Sequence, residues 1–252
     1  MTKPSLLSNP TRTDSSRLPW DTHGKYGGWG GDTTTEPTAT VSRTPIVFVH
    51  GNQRDASDWE THRRLFKDGD YTNDELWGIT FKQGTPTHDE MASQLDDFVG
   101  KVLYYTDAAS VVIVAHSLGV TGVRHWLHES GRDEWVAGFI ALAGANHGIG
   151  YAEVWCRLGL DRGASRMSQY LRSDYDELDS HPLQELNENE TPHSFPYYTI
   201  RGSHDRLYAL NPESPVLDGA VENVVLQTNH DGVRESADAL VLIETWVRDC
   251  SK

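Results

Sequence analysis

Val111-Val112-Ile113-Val114-Ala115-His116-Ser117-Leu118-Gly119 is the stretch on which the fold of this chain turns. Five apolar residues in succession, four of them β-branched, read as a strand buried on both faces, and residues 118–128 carry apolar positions at helical spacing. Between strand and helix stands one serine. Ala115 and Gly119, two places before and two after it, are small, as a tight strand-to-helix turn requires. Such a turn brings the two backbones together and lifts the serine Oγ above the end of the sheet. The five-residue pattern alone is a weak signal; the strand before it and the helix after it make it specific.

Five further apolar runs repeat the theme, at Ile46–Val49, Leu76–Phe81, 135–142, 197–200 and 224–226. Helical spacing falls between them at 56–66, 88–105, 118–128 and 233–247. Short apolar runs alternating with helices predict an α/β fold of about six mainly parallel strands with helices on both faces. The stretch 146–196, between the fourth and fifth strands, is longer than a crossover needs. Its short helical segments at 151–158 and 165–171 and its aromatic residues Tyr151, Trp155 and Tyr170 suit a cap over a pocket or a decorated connection. Residues 1–44 are rich in Ser, Thr, Pro, Gly and Asp and show no periodicity, so the chain reads as an extended tail followed by one domain over 45–252. Trp20, Tyr26 and Trp29, the last within Gly27-Gly28-Trp29-Gly30-Gly31, are too apolar for a disordered segment. We expect the tail to lie on the body as ordered coil.

The chain has 252 residues, with 22 basic against 37 acidic and a net charge of −15. A surface that negative repels phosphate backbones and anionic headgroups, which excludes nucleic acid and a polybasic membrane anchor. Sixteen arginines to six lysines, with Asp outnumbering Glu, suggest adaptation to concentrated salt. Two cysteines, Cys156 and Cys250, are too few for a disulfide framework and leave either one bridge or two thiols. The opening residues carry no apolar secretory core and no run reaches the length of a membrane span, as expected of a cytoplasmic protein unless a leader has been removed. Nothing in the sequence fixes an oligomeric state.

Three more strand ends carry chemistry. The first strand runs into His50-Gly51-Asn52, where the backbone N–H of Asn52, together with that of Leu118 after the serine, can hold the oxygen of a tetrahedral intermediate. The fifth strand is followed by Gly202-Ser203-His204-Asp205, which offers a carboxylate to orient an imidazole; Asp218 and Asp231 are the alternatives. The sixth strand leads through Gln227-Thr228-Asn229 to His230, a histidine able to take a proton from Ser117. The order Ser117, Asp205, His230 then completes a nucleophile, acid and base.

Through these residues, positions 45–248 resemble the α/β-hydrolase superfamily. Within it, the Ala-His-Ser-Leu-Gly turn is similar to that of small bacterial lipases, and of a lipase-like polyhydroxyalkanoate depolymerase group. The resemblance implies a compact α/β-hydrolase fold with Ser117 as nucleophile, His230 as base, Asp205 as acid, and Asn52 and Leu118 as oxyanion donors. It implies a serine carboxylic-ester hydrolase, lipase or esterase, needing no cofactor or metal and acting on an ester or polyester. The alternatives are a polyester depolymerase with the same triad and a noncatalytic binding protein on the same scaffold. The insertion at 146–196 and the polar tail depart from the smallest lipases.

Other residues carry weaker signals. His147 lies just past the fourth strand, and Trp59 and Trp155 are candidates to wall an acyl pocket; all three are taken as substrate-binding candidates. His125 and His128, three apart on one helix, lack the carboxylate motif of a metal pair and read as a solvated face. His116 is expected to pack without transferring protons.

Overall fold

In the computed structural model, which describes residues 17–31, 41–84, 86–150, 152, 171–174, 176 and 181–251, the strands join into one seven-stranded sheet. Its order is β1 (Tyr26–Gly30), β3 (Leu76–Phe81), β2 (Ile46–Val49), β4 (Val111–His116), β5 (Val136–Leu142), β6 (Tyr197–Gly202) and β7 (Glu222–Leu226). Only β1 is antiparallel to its neighbour; every other pairing is parallel.

Successive residues of β4 point to opposite faces, and each face has its own helices. Val111, Ile113 and Ala115 share a core with Phe98 and Val102 of α2 (His88–Thr106) and with Val120, Val123 and Leu127 of α3 (Leu118–Ser130). Val112 and Val114 share the other with Phe66 of α1 (Glu60–Asp68) and Ile243 and Trp246 of α6 (Ala237–Cys250). Covering both faces explains why these strands read as unbroken apolar runs. Local signals fix where the helices begin. At α2, Thr87 Oγ1 accepts from the Glu90 N–H at 3.2 Å while Glu90 Oε2 accepts from the Thr87 N–H at 2.8 Å.

Three expectations are corrected. The sheet has a seventh strand, and it lies in the supposed coil. Tyr26–Gly30 pairs with β3 along its whole length, Gly28 opposite Ile79 and Trp29 opposite Gly78. Glycine disfavours strands, so pattern alone does not reveal this one. It is required here, because Gly28 has φ +143° and a Cβ on it would lie 2.1 Å from the Gly78 carbonyl oxygen. Trp29 fills the space that Gly78 leaves open and donates from Nε1 to the Ala56 carbonyl at 2.7 Å. Second, the helix expected at 233–247 is broken at Ser236, which ends α5 (Gly232–Glu235) and caps α6 by accepting from the Ala239 N–H at 3.3 Å. Third, the stretch expected as one helix at 56–66 is a single 3₁₀ turn, Ala56–Trp59, running into α1.

Of the insertion, α4 (Pro182–Asn187) is described. The cap helices expected at 151–158 and 165–171, with Tyr151, Trp155 and Tyr170, lie outside the described residues apart from Ala152 and Leu171, as does Cys156. Cys250 is a free, half-buried thiol whose pKa burial pushes up to about 12. Among the described residues no helix is long and apolar enough to cross a membrane.

Candidate active site

Parallel strands β2, β4 and β6 end on one edge of the sheet, and the loops after them, with the loop after β7, bring the predicted residues together. Ser117 sits on the turn between β4 and α3 with φ 54° and ψ −122°, a backbone conformation that L-residues rarely adopt. Its own N–H is tied to the Leu142 carbonyl at 2.8 Å. Gly119 makes so tight a turn possible, since a Cβ there would lie 2.6 Å from the His50 carbonyl oxygen.

Ser117 Oγ lies 2.9 Å from His230 Nε2, and His230 Nδ1 lies 2.6 Å from Asp205 Oδ2. Asp205 is the buried member, its side chain 1 % exposed, and its other oxygen accepts from the Leu207 N–H at 2.9 Å, capping a short 3₁₀ turn. A carboxylate held at both oxygens keeps one orientation toward the imidazole. Asp205 forces the proton onto His230 Nδ1, which leaves the Nε2 lone pair facing the Ser117 hydroxyl. The two alternative carboxylates are placed elsewhere: Asp231 bonds Arg54 at 3.0 Å, and Asp218 is exposed on a turn.

The loop after β2 abuts the serine. A Cβ on Gly51 would lie 3.0 Å from Ser117 Cβ. His50 locks this loop from beneath: its Nε2 accepts from the Phe81 N–H at 3.1 Å, so Nδ1 carries the proton and donates to the Gly51 carbonyl at 2.7 Å. The Gln53 N–H donates to the Gly84 carbonyl at 2.6 Å. Among the described residues the backbone N–H groups of Asn52 and Leu118 donate to no protein acceptor.

One residue expected at a substrate pocket is not there. Trp59 is fully buried in the core, 5.2 Å from the Phe48 ring and 4.9 Å from the His62 ring between centroids. Its apolar bulk fits the space between β2 and α1. His147 has both ring nitrogens engaged, Nδ1 at 3.1 Å from the Ser214 carbonyl and Nε2 at 2.7 Å from Glu190. The Glu190 carboxylate outweighs burial and holds the His147 pKa above its usual value, so this histidine ties the β5 loop to the segment after α4. Trp155 lies outside the described residues. His125 is no solvated face residue either: it is buried, 2.9 Å from Asp89, whereas His128 is exposed and 4.0 Å from Glu185.

Residues 43–235 match the family of class 2 lipases. The chain belongs to the class 2 lipase family. It is accordingly a carboxylic ester hydrolase of the serine type, which sets aside the noncatalytic scaffold. Solved structures share the lipase's fold. The mature lipase BlEst2 of Bacillus licheniformis is 16 % identical over 89 % of this chain and 98 % of its own, with a TM-score of 0.60. Phospholipase PlaB of Legionella pneumophila is 16 % identical over 85 % of this chain and 61 % of its own, with a TM-score of 0.61. A carboxylesterase structure from the thaumarchaeon Nitrososphaera gargenis gives 14 % identity over 89 % and 94 % of the two chains, with a TM-score of 0.53. At these identities the likeness is one of fold. The comparison extends the lipase fold to the sheet and helices described above.

Proposed function

We propose that this lipase hydrolyses its ester through Ser117, His230 and Asp205, with the backbone N–H groups of Asn52 and Leu118 as the oxyanion hole. The observation that carries the reading is the continuous chain from Ser117 Oγ through His230 to Asp205, at 2.9 and 2.6 Å, with the serine on a strained turn. His230 Nε2 takes the hydroxyl proton as Oγ attacks the ester carbonyl. The negative oxygen that forms is held by the two unspent N–H groups, and the imidazolium by Asp205. His230 then protonates the departing alcohol, leaving the acyl group on Ser117. Water, activated by the same histidine, releases the acid and regenerates the hydroxyl. Either oxyanion donor contributes about 3 kcal/mol to the transition state.

We assign the acidic surface to function in concentrated salt, where counterions screen its self-repulsion. The test is hydrolysis of p-nitrophenyl esters from acetyl to palmitoyl in molar salt, with Ser117→Ala as the blank. Turnover that vanishes in Ser117→Ala is expected, and the chain-length profile separates a short-acyl esterase from a lipase. Folded protein that turns over none of the series but clears a polyhydroxyalkanoate suspension would make the substrate a polyester. Turnover undiminished in Ser117→Ala would overturn the assignment, and full stability in dilute buffer would overturn the salt reading.

A further inference from the structure

His116 closes β4 one residue before the serine, and its side chain is buried at 2 % exposure. Its Nε2 lies 2.9 Å from the carbonyl oxygen of His230, and the two rings are 4.8 Å apart between centroids at an angle of 48°. A carbonyl only accepts, so Nε2 carries the proton and donates. Nδ1 has no hydrogen-bond partner among the described residues. Such a ring must be neutral, and burial, with the neighbouring His230, Arg234 and Arg54 adding to it, holds its pKa well below the usual histidine value.

Among the described residues, the bond from His116 is the one hydrogen bond made by the His230 main chain. Ser117 and His116 are adjacent on a single strand end, and both reach the same histidine. Ser117 Oγ meets its ring at 2.9 Å, and His116 Nε2 meets its carbonyl at the same distance. Both contacts start from the end of one strand, β4, whose residues are all buried.

We propose that His116 is a positioning residue for the reaction: its Nε2–H, donated to the His230 carbonyl, holds the base in register with the Ser117 hydroxyl. This rests on His230 acting as the base. His116→Phe keeps a flat apolar ring of similar size and loses the donor; His116→Gln keeps a donor near the Nε2 position. With p-nitrophenyl butyrate, His116→Phe should lose about ten- to a hundredfold in kcat with KM within about twofold, the effect of a base displaced by a fraction of an ångström to 1 Å. His116→Gln should recover most of that loss, and labelling of Ser117 by a fluorophosphonate should slow and recover in parallel. Equal kcat in wild type and His116→Phe, or equal losses in both variants, would overturn the proposal. Nitrogen-15 NMR of the wild-type protein tests it without any substitution. A His116 ring protonated on Nε2 with slow solvent exchange is expected, and the Nδ1–H tautomer would overturn it. His230→Ala, measured alongside, separates the two levels. Full turnover there would sink the triad itself, whereas lost turnover there with an active His116→Phe would sink only the role of His116.

Discussion

Arg54 Nη2 lies 3.0 and 3.1 Å from the two carboxylate oxygens of Asp231, across 177 positions of sequence. Arg54 also faces Asp58 at 3.7 Å, and Arg234 faces Asp58 and Asp231 at 3.7 and 3.9 Å. Two arginines and two aspartates thus alternate between residues 54–58, just after the loop that bears Asn52, and residues 231–234, just after His230. The Arg54–Asp231 pair is about half exposed, where such pairs contribute ~0.2–1 kcal/mol and are screened by salt. Arg54→Gln and Asp231→Asn should each lower kcat/KM by less than about fivefold in dilute buffer, and the double variant no further than the worse single one. In molar salt the coupling should shrink. Additive losses at both salt concentrations would show that the pair does not join the two segments.

Asp205→Asn retains the size of the side chain and removes the charge that keeps the His230 proton on Nδ1. The buried amide can present a donor to that nitrogen and turn the ring to the wrong tautomer. A fall of roughly 10⁴-fold in kcat is expected with the melting temperature little changed, as in other Ser-His-Asp enzymes. Wild-type turnover in Asp205→Asn would move the acid to another residue.

Buried histidines set the acid limit of stability. His62 is pushed down to about 3 by burial and the neighbouring Arg234 cation, and burial also holds His88 and His116 well below the usual value. All three are neutral in the fold and protonate near 6.5 when unfolded, so below 6.5 the unfolded chain binds more protons. Their contribution is present above pH 6.5 and is lost as the pH falls toward each folded pKa, at about 1.4 kcal/mol per pH unit for each group. His147 opposes this, since its raised pKa gives a contribution complete below 6.5 and lost as the pH rises through its folded value. Chemical denaturation from pH 7.5 to 5 should therefore show net destabilisation toward acid, reduced in His62→Phe; a flat profile would contradict the neutral assignments.

Gly78→Ala tests the edge strand. A methyl group there would lie 2.7 Å from the Trp29 ring, which is walled in by β3 and the Ala56 turn. Overpacking of this kind costs ~1–3 kcal/mol. A lower melting temperature with a shifted tryptophan emission and faster proteolysis within residues 17–31 is expected. Unchanged stability would mean that β1 contributes little to the fold.

Much of this architecture is legible in the residues because buried parallel strands leave an apolar run that little else produces. Ile46–Val49 and Leu76–Phe81 have the limits read from the sequence, and β4 differs by one residue. β1 escapes such reading because its glycines are chosen for the close approach of β3, Gly28 to the Gly78 carbonyl and Gly30 to the Trp77 ring, a property of the pair of strands. Ser117, Asp205 and His230 could be selected because each follows a strand in a fixed order. The role of His116 depends on a tautomer and a carbonyl 114 positions away, and the Arg54–Asp231 tie on a contact between loops; neither leaves a local pattern. Trp59 misled because an aromatic ring near a site looks the same in sequence whether it faces the cavity or the core.

The antiparallel β1 and the terminal helix α6 also bear on how the protein can be handled. The residues that carry the family signature, 43–235, begin after β1 and end where α5 ends. A chain trimmed to that signature would leave the hydrogen-bonding edge of β3 bare, a ready template for intermolecular pairing. It would also strip Ile243, Trp246 and Val247 from one face of the sheet. The smallest unit that can fold and stay monodisperse is thus larger than the part by which its relatives are recognised, and any shortened form should keep residues 17–31 and the helix through Cys250.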